Sequence, residues 1–442
     1  MKVTIHRGIN QIGGCITEIE SNNGTKILID LGHNLPEGDK PSKDKYDDPK
    51  QLTKLLNGVN AVFYTHSHGD HIGFESQVDA QNIPQYVGVL AKDLLVTHRE
   101  HIMHVKDVRM KKDAEESLAA ILNFETYLPN ETKEICNGDI KVTPFFVSHS
   151  AADAYMLLIE CDDKVVLHTG DYRSHGLRGG ALLDMIKKYI VSKWQVDILI
   201  TEGTMLGRDD KRMISESEIE QMATKWIEKY RNIFVLCSSM DADRLSSFFR
   251  ANRNNGKHRP FIVDYYQNQV LDVIRKHIGE GDRTYYKFGG LISRFDDKEY
   301  HSNVLKLIKE NGFLMLVRNS EKYDKWIKEI GKVINLNDAL FIYSQFSGYI
   351  DRKHKAFSES TFNFIHRYNW KIEQLHTSGH ASKDTLASVC EIVNPQYAII
   401  PIHRDAKSDF RSLNIPPRLK DIVITEANNI LIGNIAISII QS

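Results

Sequence analysis

His66-Ser67-His68-Gly69-Asp70-His71 follows at once on the apolar run of residues 59–64. Three imidazoles and a carboxylate in so short a turn, at the mouth of a buried strand, restrict the fold severely. The strand fixes where the turn begins, Ile72-Gly73 lets the chain pack away, and other strand ends must bring partners to the same place. Imidazole nitrogen and carboxylate oxygen are the ligand types that suit zinc, and an ion with an open position makes water nucleophilic near neutral pH. A solvated His-rich turn is the plain alternative, so the remaining sequence has to decide.

Three more groups stand where apolar runs end: His149 after 145–148, Asp171 after 165–170 and His403 after 399–402. Alone, each reads as an ordinary polar loop residue; as a set they add compatible ligands to the box at His66. Cys15, Cys136, Cys161, Cys237 and Cys390 are scattered with no CxxC pair, so they read as reduced thiols in a cytosolic protein and not as a metal or disulfide frame. Lys+Arg number 57 against 58 Asp+Glu, for a formal charge of -1. A globally basic nucleic-acid coat is thereby ruled out, and any polyanion must be held by a local basic surface. Residues 1–7 lack the apolar core of a signal peptide, and the apolar stretch 430–440 is interrupted by Gly433, Asn434 and Ser438. The expectation is a soluble cytoplasmic protein with no membrane partner.

A chain of 442 residues exceeds a single hydrophobic core, so two domains are expected. The first part reads as strands with hairpin punctuation: 15–20 and 26–30 around Asn22-Asn23-Gly24, then 61–64, 142–147, 155–160, 165–168 and 198–201, with Asp162-Asp163 as a turn. A helical arm is predicted over 92–122. After Arg208-Asp209-Asp210-Lys211 the texture changes. Ser215-Glu216-Ser217-Glu218 is a capping box before a helix, and apolar strands at 233–237, 261–263, 313–317 and 340–343 alternate with helical stretches. That alternation predicts βαβ units around a parallel sheet. From about Lys371 the strand-turn style returns, through 398–402, 422–425 and 430–440, so one domain is inserted into another.

Asp30, the box from His66 to His71, His149, Asp171 and His403, in that order, resemble a metallo-β-lactamase-fold hydrolase. The resemblance implies an α/β protein, a four-layer αβ/βα sandwich with two metals at one edge, split into residues 1–207 and 371–442 around an inserted domain at 208–370. It implies that His66, His68 and His149 hold one Zn2+ and Asp70, His71 and His403 the other. Asp171 would bridge them, Asp30 would support the metal loop, and Mn2+ is also accepted by such a site. Glu202, in Thr201-Glu202-Gly203-Thr204, resembles the acidic motif of the β-CASP nucleases. His376-Thr377-Ser378-Gly379-His380 and Pro401-Ile402-His403 resemble motifs of ribonuclease J. With these comes a phosphodiesterase that cuts RNA between the two domains, its His380 protonating the leaving oxygen while Glu202 keeps that imidazole charged. Ser378 and Gly379 would handle phosphate with backbone N–H and hydroxyl donors, with His376 as a phosphate contact or a structural neighbour.

Departures from ribonuclease J are Phe74 in place of a glycine, Arg404-Asp405 in place of Gly-Glu, and an end soon after the last strands. Its C-terminal domain is therefore expected to be missing, which bears on a homodimer and on grip of long RNA. Ser238, Ser239 and Arg244, after an inserted-domain strand, are expected either to cap a helix or to hold a 5′ phosphate. The basic residues between Lys92 and Lys112 read as a solvated helical face, and Arg253, Lys257, His258 and Arg259 as a surface loop. The DNA-directed β-CASP relatives often carry an apolar residue where His403 stands, so the resemblance implies RNA, single-stranded, as partner. Single-stranded DNA is the alternative substrate; a thioester or lactone hydrolase uses the same box but explains neither the insertion nor Ser378-Gly379-His380. Exonuclease and endonuclease modes are both open.

Overall fold

The computed structural model describes residues 1–40, 42–208, 213–254, 259–278 and 283–440. Asp209, Asp210, Lys211, Lys257 and His258 lie outside the described residues. The chain opens with β1 (Lys2–Arg7), β2 (Ile16–Glu20), β3 (Lys26–Ile29), β4 (Ala61–Phe63), β5 (Gln85–Gly88) and β6 (Glu125–Tyr127), paired in that order. The β1–β2 and β2–β3 pairs are antiparallel and those from β3 to β6 parallel. A second sheet follows from β7 (Lys133–Ile135), β8 (Ile140–Val147), β9 (Ala154–Cys161), β10 (Lys164–His168) and β11 (Ile198–Glu202). Asp162 and Asp163, with φ of 50° and 59°, turn β9 into β10, because short carboxylate side chains tolerate the left-handed region that a tight hairpin needs.

The third sheet holds β12 (Asn232–Cys237), β13 (Phe261–Val263), β14 (Ile292–Arg294), β15 (Phe313–Val317), β16 (Leu340–Ser344) and β17 (Lys371–Gln374) in the order β14-β13-β15-β12-β16-β17, every pair parallel. The chain then returns: β18 (Ala398–Ile402) pairs with β11, while β19 (Ile430–Ile432) and β20 (Ile435–Ile439) extend the first sheet beside β1. Two compact units result. One comprises Met1–Leu35, Ser42–Arg212 and Gly379–Ser442, the other Pro36–Pro41 and Met213–Ser378.

In the first unit one core lies between the two sheets, joining Val3, Ile19 and Phe63 to Leu157, Ile159 and Ile400. Helices cover both outer faces: Leu52, Leu55 and Leu95 pack under the first sheet, Ile186, Leu386 and Val389 under the second. The arrangement is a four-layer αβ/βα sandwich, as alternating inward and outward apolar positions on both sheets demand. The second unit is an α/β sheet whose four inner strands, β13, β15, β12 and β16, are buried along their whole length, the usual consequence of helices on both faces.

Four expectations are corrected. The arm over 92–122 is two helices, Val89–Ile102 and Val108–Leu122, since Asp107 caps the second through Met110 N. Residues 422–425 form no strand; Pro417–Asp421 is helical up to that point and leaves a single bridge, Ile399 to Val423. Lys371–Gln374 is the edge strand of the third sheet, so residues 371–378 belong to the second unit. Arg259 is buried, not in a surface loop, and donates to the carbonyls of Tyr230 and Ile227 at the end of the helix Glu216–Lys229. No helix among the described residues is long and apolar enough to cross a membrane.

Candidate metal centre

The expected ligands gather in the first unit at the carboxyl ends of β3, β4, β8, β10 and β18. Asp30 and His403 stand directly after β3 and β18 with φ of 58° and 51°, left-handed backbone that ordinary residues adopt only when the surroundings insist. The box turn is pinned by Leu31 N to His71 O at 2.8 Å and His33 N to Gly69 O at 3.0 Å. Gly32 is required there: a Cβ on it would strike the backbone of Asp70 and His71. Phe74 fills its own space by packing its ring at 4.1 Å from that of His33.

Hydrogen bonds made away from the centre set the tautomer of four imidazoles. The Thr65 hydroxyl donates to Asp30 Oδ2 at 2.9 Å and therefore accepts from His66 Nδ1 at 3.0 Å. His71 Nδ1 donates to Asp30 Oδ2 at 2.7 Å, and His149 Nδ1 to the Gly379 carbonyl at 2.6 Å. Thr204 Oγ1 donates to His403 O at 3.1 Å, which leaves it to accept from His403 Nδ1 at 2.7 Å. Each of the four thus turns the lone pair of Nε2 inward, the orientation that backing groups impose on metal-binding histidines.

Those lone pairs converge. His66 Nε2 is 3.1 Å and His149 Nε2 3.2 Å from His68 Nδ1. Three nitrogens about 2.0–2.1 Å from a tetrahedral zinc would stand about 3.3 Å apart. On the other side His403 Nε2 lies 3.2 Å and His71 Nε2 3.9 Å from Asp70 Oδ2. Between the groups sits Asp171, whose Oδ2 is 3.2 Å from His71 Nε2, 3.5 Å from His403 Nε2 and 4.0 Å from both His66 and His149 Nε2. The fit to cations is seen in His71 Nε2, which is buried beside the Asp70 and Asp171 carboxylates yet meets no partner in hydrogen-bonding geometry among the described residues.

The electrostatics agree. Burial, aided by the neighbouring imidazoles, pushes His66 well below the ordinary histidine range, and burial likewise pushes His149 well below it and His68 down to about 4. Neutral imidazoles are what a metal ion binds. His71 goes the other way: burial opposes its charge, yet Asp171, Asp30 and Asp70 drive it well above that range. Three carboxylates at that point call for a positive charge, which a proton on His71 or a metal ion can provide.

His380 lies beside this group. Its Nδ1 is 3.1 Å from Glu202 Oε2 and 3.5 Å from Asp171 Oδ2. Glu202, the last residue of β11, accepts on Oε1 from Tyr172 N and Ala381 N, both at 3.1 Å. Burial opposes charge on His380, but Glu202 and Asp171 raise it above the ordinary imidazole value. Gly379 is needed for the approach of this segment, since a Cβ there would meet Ser150 Oγ.

Sequence reasoning passed over Thr65, Thr204 and the Gly379 carbonyl as the groups that aim the ligands. Thr204 matters most, because its hydroxyl also stands 3.2 Å from His380 Nδ1. Thr204→Val keeps the shape and removes the acceptor. Metal retention against a competing chelator is expected to weaken by roughly 10–100-fold; unchanged retention would show that packing alone orients His403.

Ser238, Ser239, Arg244, His376 and Ser378 belong to the second unit. For Arg244, a 5′-phosphate contact is one of two expectations, and the structure gives the side chain partners within its own unit. It is buried, with Nε and Nη2 on the Glu216 carboxylate at 2.8–3.2 Å and Nη1 on Ser344 Oγ at 2.6 Å and His376 Nδ1 at 3.3 Å. Its donors are spent tying together the helices Glu216–Lys229 and Ala242–Asn254 and the end of β16. Ser238 is exposed and accepts from Met240 N at 3.2 Å, while Asp241 Oδ1 accepts Arg244 N at the start of the following helix. Arg404, the departure after His403, is also buried, and holds the Ser408 carbonyl at 2.7 Å.

Comparison with known proteins bears on the same segments. Residues 16–179 match the metallo-beta-lactamase superfamily, and residues 366–413 match the Zn-dependent metallo-hydrolase RNA specificity domain. The chain is 24% identical to Ribonuclease J of Mycoplasma pneumoniae over 423 residues, 92% of this chain and 68% of that protein. It is 22% identical to Ribonuclease J 1 of Streptococcus pyogenes over 442 residues, 97% of this chain and 72% of the relative. A crystal structure of a protein of unknown function from Enterococcus faecalis V583 shares the fold, with a TM-score of 0.66 and 18% identity over 94% of this chain and 98% of that one. With its buried His/Asp clusters suited to metal ions, the chain is similar to the metal-dependent hydrolases of the metallo-beta-lactamase superfamily over residues 16–179 and to their RNA specificity domain over residues 366–413.

Proposed function

We propose that the chain is a cytoplasmic ribonuclease, a phosphodiesterase that hydrolyses single-stranded RNA with two zinc ions. His66, His68 and His149 would hold one ion, Asp70, His71 and His403 the other, and Asp171 would lie between them with Asp30 behind. Bound there, the ions supply Lewis acidity that acidifies water and offsets the charge developing on the phosphate. The chain's own part follows from its hydrogen bonds. Four imidazoles are locked with Nδ1–H outward, so no reorganisation is needed to bind, and this convergence of lone pairs on Asp171 Oδ2 is the observation that carries the reading. His380 gives its Nδ1–H to Glu202 and keeps a proton on Nε2 to donate to the leaving alkoxide. Ser378 and Gly379 would present donors to the substrate phosphate. The RNA specificity domain and the relatives named Ribonuclease J support RNA over DNA.

The test is a time course on matched 5′-labelled RNA and DNA oligonucleotides with added zinc or manganese, for the natural chain and Asp70→Ala. Hydrolysis of RNA by the natural chain alone is expected. Intact RNA in both reactions, or a large preference for DNA, would sink the proposal.

A further inference from the structure

Basic side chains on the helix Val108–Leu122 are neutralised one turn on: Arg109 by Asp113 at 4.0 Å, Lys111 by Glu115 at 3.7 Å and Lys112 by Glu116 at 3.6 Å. Another surface of the first unit keeps its charge. The short helix Leu182–Met185 runs into a π-helix, Ile186–Val191. Such wider turns are frequent at functional sites. Lys188-Tyr189 lies within that turn and Lys193-Trp194 just beyond its end, with Lys188 Nζ 4.9 Å from the Tyr189 ring centre and Lys193 Nζ 5.7 Å from that of Trp194.

Lys187, Lys188 and Lys193 are exposed, and none has a carboxylate at ion-pair distance among the described residues. Tyr189 is 38% exposed, whereas Ile186 and Ile190 are buried and anchor the turn in the core. The platform is therefore rigid, positively charged and faced with an aromatic ring. Arg418 adds charge beside it, bonded to the Pro395 carbonyl at 3.2 Å; Gln195 reaches the carbonyl of the adjacent Asn394. This is the far end of the helix Lys383–Val393, about 16 Å along its axis from the His380 end.

We propose that this π-turn surface is a second, non-catalytic binding surface for single-stranded RNA, its lysines on phosphates and Tyr189 under a base. The inference rests on the RNA reading of the metal centre. Unpaired lysines supply the counter-ion release that drives polyanion binding, and an exposed aromatic beside them supplies sequence-tolerant stacking. A substrate long enough to leave the metal centre would gain affinity there, whereas a very short one would not.

The experiment compares oligouridylates of about 4 and about 15 nucleotides, within single-strand site sizes. Binding is measured by fluorescence anisotropy in full-length Asp70→Ala protein, with and without Lys187→Glu, Lys188→Glu and Lys193→Glu together. Hydrolysis of the short RNA is followed in the otherwise natural chain carrying the same triple change. The long RNA is expected to bind roughly 10-fold or more weakly at about 100 mM salt, with the salt slope reduced by about 2 for three lost phosphate contacts. Hydrolysis of the short RNA should be unaltered. Lys→Gln at the three positions, which removes charge without adding any, should show the same sign, and Tyr189→Ala should weaken only the long RNA. Equal affinity and slope for the long RNA, while the short one is still hydrolysed, would overturn the surface and leave the metal-centre reading standing. No hydrolysis of either RNA by the natural chain would bring down that reading, and this inference with it.

Discussion

Replacing Asp171 by alanine is expected to leave fewer than about one tightly held metal ion per chain and to cut RNA hydrolysis by at least ~10³-fold. The size follows from where a single oxygen sits. Asp171 Oδ2 is within 4.0 Å of His66, His71, His149, His380 and His403, so it is an anion shared by both ligand groups and by His380. These imidazoles tilt the carboxyl strongly toward its ionised form: burial opposes the charge, but His403, His71 and His380 hold it well below the usual carboxylate range. Without it, inward-facing nitrogens on both sides lose their common counter-charge, and two cations placed there would repel across an unfilled gap. A loss of ~10³ corresponds to about 4 kcal/mol of barrier, within reach of one preorganised charge in a dry site. Asp171→Asn, which keeps the shape, should retain more metal than the alanine variant. Full metal content in Asp171→Ala, measured by elemental analysis after gentle purification, would remove this residue from the centre.

Much of this geometry was legible in the residues, and for a physical reason. A ligand that must be held rigidly is placed at the end of a buried strand, so His149, Asp171 and His403 each follow an apolar run that announces the strand. The parallel insertion was legible as well, because strands covered on both faces are apolar throughout and the helices between them carry a 3.6 period. Groups defined only by partners far along the chain were not. Thr204 and His403 are 199 residues apart, and a threonine two residues beyond a strand carries no mark of the imidazole it will meet. Arg244 shows the converse: a cation after a strand looks available for phosphate, until Glu216, 28 residues earlier, folds onto it. Lys371–Gln374 escaped because an edge strand with half-exposed polar residues lacks the apolar signature that its neighbours carry.

His380→Ala is expected to lower kcat by roughly 10²–10⁴-fold while metal content and KM hardly change, the signature of a lost proton donor. Glu202→Gln separates donation from mere placement. Tyr172 N and Ala381 N both point at Oε1, so the amide of a glutamine must set its oxygen there and turn its NH2 toward His380 Nδ1. That imidazole can then accept but no longer share its Nδ1 proton, and the carboxylate charge that raised it is gone. The folded fit survives, yet the protonated acid is held less tightly. Its affinity for the proton falls, so the descending limb of the kcat–pH profile should move to lower pH, with kcat reduced at neutral pH by about 10-fold or more. A purely structural Glu202 would instead alter KM, metal content or thermal stability and leave the limb in place. If both variants keep the natural profile and rate, the leaving oxygen takes its proton from water, and His380 is a neighbour of the centre and not its acid.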